Sequence, residues 1–568
     1  MKLGIIANSI AWLCLGFVVV FALQKHDALI ENGSDIIAVT AAELQAEAPA
    51  STYAQRPDSI SIANDSIAED EGSSAFADAV VLNDSGVSLL AAGNAKDALT
   101  LLQRAVQTDS SYARAHFNLG ISFASLNHPS EAIREYKLAA QLRPSYYKPL
   151  FNLGLLYSDL EDYEEAAQWL AKAISIRKSP DAAPAHYRLG RVLTHLNDTS
   201  RAIEEYNEAL RLRPGYIEPR YSLAMISMDA GKYELASIEL ERVASLGFAR
   251  TRLYRNLGIC YSRTGNDSLA IRAYRRALQI DTADASLWYN LAVVEKRSDL
   301  ADEAIASYTR TLEVDSNFSE AWFNLASIYN DKSEFGRSLM AYRHAVRSNP
   351  SYSKAWYNLG LLYSDLDLPD SAAAAYERVV EYAPDNTRAL FNLGLAYNKM
   401  DSLDKAADAY RKLIDVDPVH EKGLNNLGAI YLKVELFDSA HAVFNRLVGL
   451  THSAQAFYNR AKSQEELGNP EKAIADYRRA IEKDHAYARA YHNLALLEED
   501  RGDLGTAVEL LNQAIVYEPN NWKTHWKLGK IYIAIGRTSD AKAEYALAAK
   551  SNPDSKYFSQ EYSDLFEQ

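Results

Sequence analysis

Ten asparagines share one register along this chain: Asn118, Asn152, Asn256, Asn290, Asn324, Asn358, Asn392, Asn426, Asn459 and Asn493. Each stands two residues before a glycine or alanine, and neighbouring members are 34 residues apart except for one step of 33 and the gap between Asn152 and Asn256, where Arg188 and Ser222 take the place. A carboxamide offers two N–H donors and a carbonyl acceptor, so such a row can hydrogen-bond an extended peptide backbone whatever its side chains. The alternative is that asparagine merely fits this position. The residue just before is mostly aromatic: Phe117, Phe151, Tyr187, Tyr221, Tyr289, Phe323, Tyr357, Phe391, Tyr458 and Trp526. Exposed, these rings give rigid apolar area to a peptide or a sugar face; packed inward, they belong to the core. Four residues before the asparagine, one helical turn away on the same face, stand Arg114, Lys148, Arg252, Lys354, Arg388, Lys422, Arg489 and Lys523. Residues 250–279 add to this with seven arginines, Arg255 and Arg263 among them, against the single acid Asp267. Together these rows suit an extended, acidic segment of another protein. A glycan is the other ligand the aromatic row would take, and scattered solubilising charge is the plain reading of the basic one.

The elements that must position these rows are visible in Ser353–Asn386. Trp356, Leu359, Gly360 and Tyr363 share one helical face, and Ala372, Tyr376 and Val379 share another. Pro369 lies between the halves, where a helix accepts proline in its first turn, and Pro384 closes the unit. Gly360 lets a second helix approach closely. The unit is a hairpin of two helices that cannot bury its apolar face alone and must stack on copies of itself. The small residue of the first helix recurs from Gly86 to Gly529 in steps of 34, with a 36 before Gly190 and the 33 before Ala461, giving fourteen copies.

This pattern resembles the tetratricopeptide-repeat (TPR) family over residues 79–556. The resemblance implies an all-α, right-handed α-solenoid of fourteen helix–turn–helix repeats whose first helices line the concave surface. The repeat segment of O-linked N-acetylglucosamine transferase is similar in its row of asparagines, and its catalytic half has no counterpart here. The basic residue plus asparagine partly resembles the carboxylate clamp of chaperone-binding TPR proteins. That clamp also needs a lysine and an asparagine on a neighbouring first helix, where this chain has Tyr357 and Leu361, so it departs from the pattern. Expected site residues are the ten asparagines with Arg252, Arg255, Lys354, Tyr357, Arg388, Phe391 and Lys422.

A net charge of −15 argues against nucleic acid as the principal partner. The two cysteines, Cys14 and Cys260, give neither a metal cluster nor a disulfide framework. No metalloprotease, phosphate-loop, CxxC or nucleophile-elbow motif occurs, so no cofactor and no enzyme are expected. His116, His186 and His525 all take the place of Trp356, and packing accounts for them. At the amino end, Leu3 to Leu23 is apolar but for Asn8 and Ser9, long enough to cross a bilayer. The expectation is an uncleaved anchor at 1–23 with the repeats on the exported side, since Lys2 is the only charge before it. A signal peptide cut after Ala22 is the alternative, and Leu13 before Cys14 speaks against a lipoprotein. Residues 24–78 hold eleven acids against Lys25 and Arg56 and read as a disordered spacer. Irregular steps at 179–184, 245–248 and 448–450 are candidate bends or drift. Phe558, Tyr562, Leu565 and Phe566 suit a capping helix at 557–568.

Overall fold

The computed structural model describes residues 74–552. The expected membrane anchor at 1–23, the spacer up to residue 73 and the capping helix at 557–568 lie outside the described residues. Among the described residues there is no strand, and no helix is long and apolar enough to cross a membrane. Fourteen helical hairpins follow one another, the first built from Ser74–Ala91 and Ala95–Thr108, the last from Trp522–Ala534 and Thr538–Ser551. Residues 74–78, which read as spacer in the sequence, are helical. Phe76 packs edge-on to Tyr112 at 5.2 Å, which gives that turn an apolar reason to fold.

The chain divides into two compact units, one ending at Ser316 and one starting at Asn317. The first holds repeats 1 to 7 and the second repeats 8 to 14, with the same construction in each. The glycine or alanine of the first helix faces a large residue sixteen positions later on the second. At Gly120 a Cβ would sit 2.6 Å from the Tyr136 ring, and at Gly428 2.5 Å from Phe444, so no side chain fits there. In the first unit Tyr136, Tyr206, Tyr274 and Tyr308 are buried at this place, and in the second Tyr376, Tyr410, Phe444 and Tyr477.

A short turn joins the two helices of each hairpin, and one residue of each such turn is left-handed. Glycine takes that residue at Gly265 (φ 75°), but Glu161 (φ 62°) and Glu435 (φ 63°) take it elsewhere, a conformation that side chains with a Cβ resist. Pro369 opens the second helix of repeat 9, Pro369–Tyr382, as its place in the sequence suggests. The two extra residues before Gly190 are taken up in a 3₁₀ turn, Pro180–Ala182, ahead of the helix Ala183–His195. The missing residue near 449 goes with a longer helix, Phe437–Thr451, closed by left-handed His452.

Candidate protein-binding face

The three rows lie on the first helices, yet each has a different environment. The asparagines turn their amides towards the repeat before. Asn118 Nδ2 donates to Asn83 Oδ1 at 2.8 Å, Asn256 Nδ2 to the Tyr221 hydroxyl at 2.8 Å, and Asn392 Nδ2 to the Tyr357 hydroxyl at 3.2 Å. Asn459 Nδ2 donates to Asn425 Oδ1 at 2.7 Å. Asn358 and Asn426 reach the buried tyrosines Tyr342 and Tyr410 at 3.4 and 3.0 Å. Asn493 donates to both kinds of acceptor, Tyr458 at 3.3 Å and Tyr477 at 3.1 Å.

Asn118, Asn152, Asn256, Asn290, Asn324 and Asn459 are buried, and Asn358, Asn392, Asn426 and Asn493 are half-buried. In seven of the ten, at least one amide N–H is therefore spent on stacking, and in Asn459 Oδ1 is engaged as well, accepting from Gln455 Nε2 at 2.9 Å. Asn152 marks the rule by its exception. Its aromatic predecessor is Phe117, which has no oxygen, and where Asn358 and Asn426 behind Phe323 and Phe391 turn to a buried tyrosine instead, Asn152 Nδ2 is buried without a hydrogen-bond partner. A signal for this arrangement exists in the sequence: where the preceding repeat carries an oxygen at its aromatic position, the next asparagine has an acceptor.

The aromatic row packs. Phe117 lies between Tyr136 and Tyr146, with ring centroids at 5.8 and 5.4 Å. Tyr357 rests on Tyr376 at 5.9 Å, and Phe391 on Tyr410 at 5.9 Å and His420 at 5.4 Å. Phe391 is buried and Tyr357 half-buried. Burial raises the Tyr357 hydroxyl above its usual pKa, and Tyr221 is pushed up to about 12 for the same reason, with Arg252 and Arg255 opposing the rise.

The basic row is the one that reaches solvent. Lys354, Arg388, Lys422, Arg489 and Lys523 are exposed, and Arg252 is half-buried with its guanidinium 4.9 Å from the Tyr221 ring centroid. Each is the second residue of its helix, as in Ser353–Asp365, Thr387–Lys399 and Glu421–Lys433. Arg255 differs: it stands at the aromatic position and pairs with Asp284.

The three histidines do more than fill space. His525 places Nδ1 2.6 Å from Glu544 and Nε2 2.9 Å from the Pro519 carbonyl. His116 does the same with Glu135 at 2.7 Å and the Ser110 carbonyl at 3.1 Å, and His186 meets Glu205 at 2.6 Å. In repeat 9 Trp356 Nε1 gives the same bond to the Pro350 carbonyl. Arg220 of repeat 5 makes both contacts, to Glu239 at 2.8 Å and the Pro214 carbonyl at 3.1 Å. The Glu544 hydrogen bond raises the His525 pKa despite burial, which pulls the other way. Cys260 is buried, and burial pushes its thiol up to about 12, far from a reactive thiolate.

Comparison with known proteins places the repeats. Family models described as tetratricopeptide repeat match residues 83–147, 289–353 and 357–421, 148–214, 253–287, 454–487 and 498–560. The peroxisomal targeting signal receptor of Saccharomyces cerevisiae is 35% identical over 72 residues, 13% of this chain and 12% of the receptor. That of Kluyveromyces lactis is 39% identical over 59 residues, 10% of each. The chain thus spans about an eighth or less of the length of these relatives. Among solved structures, MamA is 28% identical over 30% of this chain and 92% of its own, with a TM-score of 0.28. YrrB, described as a TPR protein with an unusual peptide-binding site, is 24% identical over 32% of this chain and 94% of its own, with a TM-score of 0.30. The C-terminal part of a TPR repeat-containing protein from Cytophaga hutchinsonii is 20% identical over 42% of this chain and 99% of its own, with a TM-score of 0.39.

Proposed function

This chain belongs to the tetratricopeptide-repeat family, and from that membership we propose that it is a binding scaffold that holds extended, acidic segments of other proteins along the faces of its first helices. One observation carries the reading. Lysine or arginine is the second residue of the first helix in eight repeats, where it meets the positive end of the helix dipole. A cation there costs about 0.3–1 kcal/mol, and an acid would be the stabilising choice. Helix stability therefore does not account for the basic row, while attraction of an acidic ligand does. The asparagines and aromatics back the surface, the first by fixing one repeat on the next and the second by filling the space beneath. A glycan reading needs the rings exposed, and the packing of Phe117, Tyr357 and Phe391 gives it no particular support.

The same reading includes attachment to a membrane through residues 1–23, with the repeats on the exported side. It rests on the apolar run and its sparse positive flanks. A reporter fused after residue 30 is expected to be active on the exported side, and cytoplasmic activity would reverse the orientation. A mature chain that begins at Leu23 would replace the anchor with a cleaved signal.

The decisive variant carries Lys354→Ala, Arg388→Ala and Lys422→Ala together. Partner proteins recovered on the full chain are titrated against it at two salt concentrations. Association should slow and its ionic-strength dependence flatten. Stability should hold or rise, since three cations leave positive helix ends. Unchanged affinity at low salt would move the binding surface away from these helices.

A further inference from the structure

The first helix of repeat 5, Ile217–Asp229, is the least covered of its kind in the first unit: only Pro219 and Ala224 are buried. Tyr221, Met225 and Met228 are half-exposed on it. Asn256 Nδ2 lies 3.3 Å from the Met225 sulfur, so Met225 borders the first helix of repeat 6. Beside Tyr221 stand Arg252, its guanidinium 4.9 Å from the ring centroid, and Arg255, both on Thr251–Arg263. The acids on the repeat 5 helix are Glu218 and Asp229, and Asp284 pairs with Arg255. The patch is therefore a soft apolar strip with a basic margin in a chain of net charge −15. Thioether side chains adapt to aliphatic partners of irregular shape.

One stretch of this chain has the complementary composition. Asp27 to Glu47 carries five carboxylates, Asp27, Glu31, Asp35, Glu43 and Glu47, and no lysine or arginine. Among them lie Ile36, Ile37, Val39 and Leu44. Residues 48–73 join it to the first helix of repeat 1. Fully extended, they reach up to about 90 Å at 3.3–3.6 Å per residue. Four repeats, at about 10 Å for each packed helix layer, place repeat 5 on the order of 40 Å away. A tether that spans its site supplies a millimolar effective concentration, enough to fill even a weak site.

We propose that the face of repeats 5 and 6 is a docking site whose resident occupant is the chain's own acidic segment, Asp27 to Glu47. The isoleucine pair lies on Met225 and Met228, and the carboxylates face the arginine margin. A partner that uses these repeats must displace the segment, so the chain carries its own competitor. This rests on the reading of the first-helix faces as binding surfaces, and it adds which segment holds one of them at rest.

The test is oxidation of the full chain by hydrogen peroxide, with methionine sulfoxide followed by mass spectrometry. It compares the native chain with one carrying Asp27→Asn, Glu31→Gln, Asp35→Asn, Glu43→Gln and Glu47→Gln, which leaves the described fold untouched. Met225 and Met228 should oxidise several-fold faster in the variant. Met340, 60% exposed and on the second helix of repeat 8, should not change and serves as the internal reference. Equal rates at Met225 and Met228 in the two chains would overturn the proposal. So would protection that disappears on tenfold dilution, because the occupant would then be a second copy. The Lys354, Arg388 and Lys422 variant tests the wider reading in other repeats, so either can fail alone.

Discussion

Repeats 2 and 5 share one framework and differ in how far it is closed. In the first helix of repeat 2, Ala113–Ser125, ten residues are buried; in that of repeat 5, Ile217–Asp229, two are. Both keep the small residue against a large one on the second helix, Gly120 against Tyr136 and Ala224 beside buried Leu240. In repeat 2 the aromatic position is Phe117, closed between two tyrosines. In repeat 5 it is Tyr221, whose nearest ring is Phe248 at 6.2 Å and whose hydroxyl accepts from Asn256. A few contacts thus hold the hairpin, and the rest of the first helix is free to be core or surface. Repeats on one template can divide labour without any change of fold.

The largest effect should come from removing the core of the closed repeat. Phe117→Ala is expected to cost about 3–5 kcal/mol, whereas Met228→Ala should stay within about 1 kcal/mol, as for partly exposed positions. Hydrogen exchange of peptides from each repeat checks this locally, which suits an array whose unfolding need not be two-state. Similar losses in both would mean that repeat 5 is as closed as repeat 2.

The asparagines sharpen the comparison at an intermediate scale. Asn256→Leu removes the donor that Tyr221 accepts and should cost about 1–3 kcal/mol. Asn152→Leu replaces an amide that has no partner beside Phe117, so it should be neutral or stabilising. Denaturant melts of the two single variants decide it, and an equal cost would show that Asn152 holds something else in place.

The smallest effect concerns pH. The folded pKa of His525 is raised above 6.5 by its bond to Glu544. Its contribution is therefore complete below about pH 6.5 and is lost as pH rises through the folded value. Copying repeat 5, where Arg220 makes the same two contacts, His525→Arg should remove that loss. Protection factors in repeat 14, that is exchange relative to the intrinsic rate at each pH, should agree between pH 6 and pH 8 in the variant and fall towards pH 8 in the native chain. Divergence in both would place the titrating group elsewhere.

The helices were legible because one residue type per repeat is forced. Only glycine fits against Tyr136 or Phe444, glycine or alanine stands at the same place in every other repeat, and that constraint recurs about every 34 residues whatever the surface does. The rows on the first helices were legible as rows but not in direction. An asparagine at Asn392 is the same letter whether it faces a ligand or Tyr357, and the choice depends on a residue 35 positions earlier. The turn from Ser74 was hidden because Ser74, its two alanines and Asp78 resemble the spacer, and Phe76 is its one large apolar clue. The openness of repeat 5 left no mark in the repeat register, since Met225 and Met228 are as apolar as the residues that other repeats bury.

The amide bonds between repeats also give the stack a polarity. Donors lie on the later repeat and acceptors on the earlier one, from Asn118 and Asn83 to Asn493 and Tyr458. The two ends of the array are therefore not equivalent to loss. Trimming from the carboxyl end exposes hydroxyl and carbonyl oxygens that water can serve. Trimming from the amino end leaves an amide facing a missing neighbour. The opening repeat meets that requirement by carrying no asparagine at this register, where Asp84 stands in its place. A gene that gains or sheds repeats at its distal end leaves every earlier joint intact.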